Sequence, residues 1–315
     1  LSTDPNTAPA ILVIGHGSRD VEAVEEFLQV ADRLGERFPE RDIATGFLEF
    51  ARPTIDEGAE KLIAAGARRI TAVPGMLMAA GHAKNDIPSE VNALAIRYPE
   101  VEFTYGVELG VHAKLLQAAR ERIEEAEAGF GADYRRQDTL LMVVGRGASD
   151  SDANSNICKI TRMLWEGMGF GWAETSFSGV TSPRVPEGLE RSRRLGYRNV
   201  IVFPYFLFTG RLVKERIYAV ADEFQQAHPE LRVVKAPYLN DHPLVVEAFV
   251  DRMREAEQGN GNMNCQLCQY RERIVGFEDR VGMPQAGHHH HVRGIGTDGD
   301  HHHHHHHHHA HHHED

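Results

Sequence analysis

The chain states one pattern twice and changes its chemistry on the second pass. ILVIGHGSRD, FLEFARPTIDEG, ITAVPGMLMAAGHAKNDIP and GVELGVHAKLL in the first half are answered by LLMVVGRGASD, SFSGVTSPRVPEG, VIVFPYFLFTGRLVKERI and PYLNDHPLVVEAF in the second. The offset is about 130 residues, and the alignment reads one residue as deleted near the third block. That alignment sets His16 against Arg146, Glu49 against Gly179 and His82 against Arg211. Packing and turn residues outlast a duplication because the fold needs them, whereas ligands are lost when one site suffices. Two imidazoles and a carboxylate kept in only one copy are therefore candidate functional groups. His112 is the internal control: it is matched by His242, so the repeat gives it no special role, and both read as helix-start residues.

Each half reads as short apolar strands alternating with longer amphipathic helices. Strands are expected at residues 11–14, 43–50, 69–73 and 101–107. Helices are expected at 20–38, from Pro53 onward, at 85–98 and at 112–126, and the second half repeats the series over 139–257. Pro53 would sit in the first helical turn, where its missing N–H matters least. Buried strands joined through helices imply parallel sheets covered on both faces. The fold class is α/β: two tandem doubly wound parallel-sheet domains, packed side by side as a pseudo-dimer, with a histidine-rich tail. The expected divisions are a disordered N-terminus at 1–10, a domain carrying the metal site at 11–128, a degenerate second domain at 137–257, and a metal-binding tail at 258–315. The boundary falls in the Gly- and charge-rich stretch 129–136.

In doubly wound sheets, ligands bind beyond the carboxyl ends of the strands. His16, Glu49 and His82 follow three successive strands, so their side chains are expected to converge on one crevice. Two neutral imidazoles and a carboxylate suit a borderline divalent ion such as Co²⁺, Fe²⁺, Ni²⁺ or Zn²⁺, and leave open coordination positions. The same groups can accept protons near neutrality. Met76, Leu77 and Met78 offer an adaptable apolar surface nearby. Arg19, Arg52 and Lys84 are available for carboxylates of a ligand, and Arg146, Arg211 and Lys214 are groups of the same kind for the cleft between the halves.

Bulk composition narrows the classes. A net charge of −12 argues against a nucleic-acid partner. No apolar run reaches the roughly 18 residues that a membrane span needs. The N-terminal segment lacks the basic and apolar regions of a secretory signal. Three cysteines make no disulfide framework, and a cytoplasmic setting is expected. Cys158 falls in a helix of the second half and reads as a buried apolar residue. Cys265 and Cys268 form a CxxC pair, spaced for one side of a metal or Fe–S site or for a redox couple. Sixteen of the 21 histidines lie from His288 onward, in a run of four, a run of nine and a run of three. Such a tail binds divalent cations without one fixed geometry, as a store or buffer.

GHGS after the first strand, Glu49 after the second, and the loop from Pro74 through His82 and Asp86 to Pro88 together resemble the class II chelatases of tetrapyrrole synthesis. With the duplication, the Met263-x-Cys265-x-x-Cys268 motif and the histidine tail, the chain resembles the long-form sirohydrochlorin cobaltochelatases, the CbiX type. The resemblance spans nearly everything from Ile11 on. It implies ATP-independent insertion of Co²⁺ into sirohydrochlorin, an octacarboxylate macrocycle, on the anaerobic cobalamin route. His16, Glu49 and His82 would handle metal and protons. An Fe–S cluster at Cys265 and Cys268 would be shared in a homodimer. Ferrochelatase or nickel chelatase activity is the alternative within enzymes. A metal-storage or chaperone protein acting through its tail is the alternative from another class.

Overall fold

The computed structural model describes residues 8–261, 263, 275–276 and 278–281; Cys265, Cys268 and the histidine runs lie outside the described residues. The first half contains β1 (Ala10–Gly15), α1 (Val21–Arg37), β2 (Ile43–Phe47), α2 (Ile55–Ala64), β3 (Arg69–Pro74), α3 (Ile87–Arg97), β4 (Glu102–Tyr105) and α4 (Ala113–Glu127). The second contains β5 (Thr139–Gly145), α5 (Ser151–Met168), β6 (Trp172–Phe177), α6 (Val185–Arg194), β7 (Asn199–Pro204), the single turn α7 (Arg211–Val213), α8 (Ala219–Ala227), β8 (Arg232–Lys235) and α9 (Pro243–Glu257). Both sheets are wholly parallel, in the orders β2-β1-β3-β4 and β6-β5-β7-β8. The direction of winding reverses beside β1 and beside β5, which opens a crevice at their carboxyl ends.

Successive residues of a strand face opposite sides of the sheet, and this divides the core. Leu12 and Ile14 of β1 pack outward under α2 and α3, and Leu140 and Val144 of β5 pack outward under α6 and α8. Ile11, Val13, Leu141 and Val143 face inward and belong to one continuous apolar core shared by both halves. That core shows that the halves are more than neighbours. Each gives its last helix to the other: α9 packs on β3, β4 and α1, while α4 packs on β7, β8 and α5. Arg122 of α4 donates to the Leu239 carbonyl at 3.2 Å, and Arg252 of α9 donates to the Leu109 carbonyl at 2.6 Å. The side-by-side expectation is corrected to an exchange of helices. An amphipathic last helix shows that it must bury a face, but not against which sheet.

Local chemistry moved several expected boundaries. β1 begins at Ala10, and the Pro9 carbonyl accepts from Arg41 Nε at 2.7 Å, so order begins before residue 11. β2 stops at Phe47, leaving Glu49 in a loop. Pro53 precedes α2 instead of opening it, because Thr54 is the N-cap and closes a capping box with Glu57. Cys158 is exposed, contrary to expectation. The buried face of α5 runs through Ala153, Ile157, Ile160, Leu164 and Met168, and Cys158 is one residue off that stripe. His112 and His242 do start helices, each accepting a backbone N–H at 3.2 Å as an N-cap.

The deletion inferred near the third block is also corrected. The Lys84 N–H donates to the Ala80 carbonyl and the Lys214 N–H to the Gly210 carbonyl, so the offset stays at 130 through this loop. Leu212 takes the place of His82, and Arg211 that of Gly81. Aligning Gly81 with Gly210 in sequence caused the slip, since Gly210 stands where Ala80 does. The imidazole is absent from the copy either way.

Candidate metal centre and cleft

Gly17 shapes the first arm of the site. It adopts φ 89°, and a Cβ there would lie 1.7 Å from the Glu49 carbonyl oxygen, so only glycine lets the loops after β1 and β2 meet. Across this contact the Leu48 and Glu49 N–H groups donate to the Gly15 and His16 carbonyls, at 3.0 Å each. The copy repeats the frame: Ser178 and Gly179 donate to Gly145 and Arg146 at 2.9 and 3.0 Å. Backbone geometry has survived duplication while the side chains on it changed. Phe50 holds φ 63°, a left-handed conformation that a non-glycine residue rarely takes, and Val180 holds φ 65° in the copy. This conformation therefore belongs to the frame. In the first half it sets the Phe50 ring in the cleft, 6.3 Å from the His16 ring and 5.0 Å from the Arg19 guanidinium carbon.

His82 arrives on a widened helical turn, His82–Asp86, that leads into α3. Such turns are rare and recur at functional sites. It brings His82 Nδ1 to 2.7 Å from Asp86 Oδ2, and Asn85 Nδ2 holds the other Asp86 oxygen at 2.9 Å. A carboxylate beside Nδ1 keeps the proton there and leaves the Nε2 lone pair for a ligand. His16 reaches the same tautomer by another route: Nδ1 donates to the Gly17 carbonyl at 2.9 Å. Its Nε2 lies 3.1 Å from Glu49 Oε1 but outside hydrogen-bond geometry, a buried nitrogen whose lone pair has no donor among the described residues.

His16, Glu49 and His82 each offer a ligand atom, and all three atoms lie within 4.8 Å of one another. The two imidazole rings meet edge-on with centroids 4.7 Å apart. Burial, with smaller contributions from His82 and Arg146, outweighs the Gly17 bond and Glu49 and draws the His16 pKa down to about 4. His16 is thus neutral, as a metal ligand must be. Glu49 is 7% exposed, so its charge sits where water screens it little.

The triad opens into a cleft of about 420 Å³ between the halves. Met76, Leu77 and Met78 line one side, Phe206, Leu207 and Phe208 the other, giving apolar walls suited to a flat ligand. Arg19, Arg146 and Arg211 also line it. Arg52 does not: it lies on the surface near Glu57. Lys84, expected to be available for a ligand, is already engaged: its Nζ lies 2.7 Å from Asp150 Oδ2 and 3.0 Å from Asp152 Oδ2. The sequence motif included Asp86 without giving it a role, and Tyr205 went unmarked. The signal for Asp86 was its i,i+4 spacing from His82. Tyr205 carries a buried hydroxyl in the cleft wall that has no hydrogen-bond partner among the described residues, which sequence alone does not mark. No described helix is long and apolar enough to cross a membrane.

Comparison with known proteins gives one consistent result. The CbiX family pattern matches residues 10–126 and again 140–256. A sirohydrochlorin cobaltochelatase of Priestia megaterium is 39% identical over 267 residues, covering 84% of this chain and 86% of that one. A sirohydrochlorin ferrochelatase of the same organism is 32% identical over 263 residues, covering 83% and 96%. Among solved structures, SirB from Bacillus subtilis with Fe³⁺ superposes with a TM-score of 0.70 at 29% identity, covering 81% of this chain and 99% of that one.

Proposed function

The chain belongs to the CbiX family, and from that premise we propose that it inserts a divalent metal into sirohydrochlorin, with cobalt as its metal. The observation that carries this reading is the convergence of His16, Glu49 and His82 within 4.8 Å at the edge of an apolar cleft.

The metal is a substrate, held by the two Nε2 atoms and the Glu49 carboxylate with its remaining positions turned to the cleft. The macrocycle lies against the Met76–Met78 and Phe206–Phe208 walls, and its carboxylates meet the cleft arginines. As the four ring nitrogens take the metal, two pyrrole N–H protons leave. Glu49 and His82, freed of the metal in the same step, are the bases within reach; His16, whose pKa burial draws down to about 4, is the weaker acceptor, contrary to the expectation that both imidazoles take protons near neutrality. Charge balances, since a dication enters as two protons depart, and no nucleotide is needed.

Two imidazoles and a carboxylate do not choose among cobalt, iron and nickel. Cobalt is favoured by the more similar relative and by the cysteine and histidine motifs of the tail. Iron is the second reading, supported by the ferrochelatase relative. In the tail, the histidine runs serve as a metal buffer, and Cys265 and Cys268 supply two of the four thiolates of a cluster, so that a cluster would join two chains. Mixing the purified chain with sirohydrochlorin and Co²⁺, Fe²⁺ or Ni²⁺ in turn, and following the macrocycle absorption, tests the reading. Cobalt insertion is expected to be fastest. No insertion of any metal would refute chelatase function, and faster iron insertion would refute the choice of cobalt.

A further inference from the structure

Arg146 holds in the second half the place that His16 holds in the first, on the same loop frame. Its side chain lines the cleft that His16 and His82 also line, and it is open to that cleft. Other cations of the region are engaged. Lys84 and Lys214 each bind two carboxylates, Arg211 lies 2.7 Å from Glu215, and Arg19 rests on the Phe50 ring. Among the described residues, the Arg146 guanidinium forms no hydrogen bond and no ion pair. The carboxylate whose charge reaches it is Glu49, a member of the metal triad.

A guanidinium stays charged under all working conditions. Placed within the field of a site meant for a dication, it opposes the occupant. A copy that had merely lost its ligand could carry any residue here, and a permanent cation is the least neutral choice. The same charge attracts a carboxylate, and the cleft has apolar walls suited to a flat anion. Resting on the chelatase reading above, we propose that Arg146 makes metal binding conditional on the macrocycle. In the free protein its charge holds a divalent ion off the His16–Glu49–His82 triad. When the macrocycle docks, one of its carboxylates neutralises the guanidinium and the triad takes the ion. By linkage the two ligands then strengthen each other's binding equally.

Calorimetric titration of Co²⁺ into the metal-free full chain tests this, with the parent, Arg146→Gln, His82→Ala and the double variant compared. The tail histidines are common to all four chains, so differences report the triad. Without macrocycle, Arg146→Gln is expected to bind Co²⁺ roughly tenfold more tightly, as expected for removing one charge near a dication at intermediate dielectric. The gain is expected to vanish in the His82→Ala background. The same variant is expected to bind a metal-free octacarboxylate porphyrin about fivefold or more weakly, with Arg146→Lys in between. Unchanged or weaker Co²⁺ binding in Arg146→Gln, or a gain that persists without His82, would overturn the proposal. A parent that shows this charge effect but inserts no metal into sirohydrochlorin would uphold it while refuting the chelatase reading.

Discussion

Lys84 and Lys214 stand 130 residues apart in equivalent turns, and each reaches across the cleft to the acidic start of the other half's long helix. Lys84 Nζ meets Asp150 and Asp152, and Lys214 Nζ meets Asp20 and Glu22 at 3.1 and 2.7 Å. Asp20 and Asp150 are also the N-caps of α1 and α5. The reciprocal clamp shows that the halves are related by a pseudo-twofold axis. The clamp is unequal, since the Lys84 side chain is 6% exposed and that of Lys214 is 43% exposed.

That inequality makes a stability prediction. Lys84→Met removes the cation from two buried carboxylates, and breaking a buried pair on one side is destabilising by about 3–5 kcal/mol. Lys214→Met removes an exposed pair, and its unfolding midpoint is expected to match the parent within measurement scatter. Denaturant unfolding of both variants checks this, and equal loss in the two would show that burial does not govern the clamp.

Asp86→Asn preserves shape but removes the charge that orients His82 through Nδ1. Loss of such a supporting carboxylate typically weakens a metal site roughly 10- to 100-fold. The Co²⁺ concentration for half-maximal insertion is expected to rise by that factor. An unchanged value would make Asp86 a helix residue only.

Much of this site was legible because the chain compares itself with itself. His16, Glu49 and His82 stood out as side chains lost on a retained backbone, and the strand-end rule placed them in one crevice. The role of Asp86 and the setting of Tyr205 were not legible, because both lie in partners: one is defined by the imidazole it holds, the other by a hydroxyl that has none among the described residues. The parallel sheets followed from apolar runs alternating with helices. The exchange of α4 and α9 did not, since both alternatives bury the same helical face. Lys84 was misread because a basic residue near a site looks available until its carboxylates, 66 and 68 residues away in the chain, are seen.

The depressed His16 pKa predicts a pH dependence of stability. Unfolded, the imidazole protonates near 6.5; folded, near 4. Between those values the unfolded chain binds the extra proton, so this residue makes stability fall as pH drops from about 6.5 toward 4. In the metal-free protein, His16→Gln is expected to lose less melting temperature than the parent between pH 7 and pH 5. Parallel melting curves for the two would show that His16 titrates normally.

Removing residues 262–315 is expected to leave insertion intact at saturating Co²⁺ and to slow it when Co²⁺ is scarce, because a buffer matters least at saturation. A truncated chain inactive even in excess cobalt would place chemistry in the tail. Unaltered activity at limiting cobalt would remove its buffering role.

The most direct test is the rate of Co²⁺ insertion into sirohydrochlorin by His16→Ala, Glu49→Gln and His82→Ala, with Arg52→Ala, a surface residue outside the cleft, as the control and circular dichroism to verify folding. The three triad variants are expected to fall by roughly 10²–10⁴-fold, the range for a positioned acid–base group, while Arg52→Ala stays within a few-fold of the parent. Rates near the parent's in folded His16→Ala and His82→Ala chains would contradict the account.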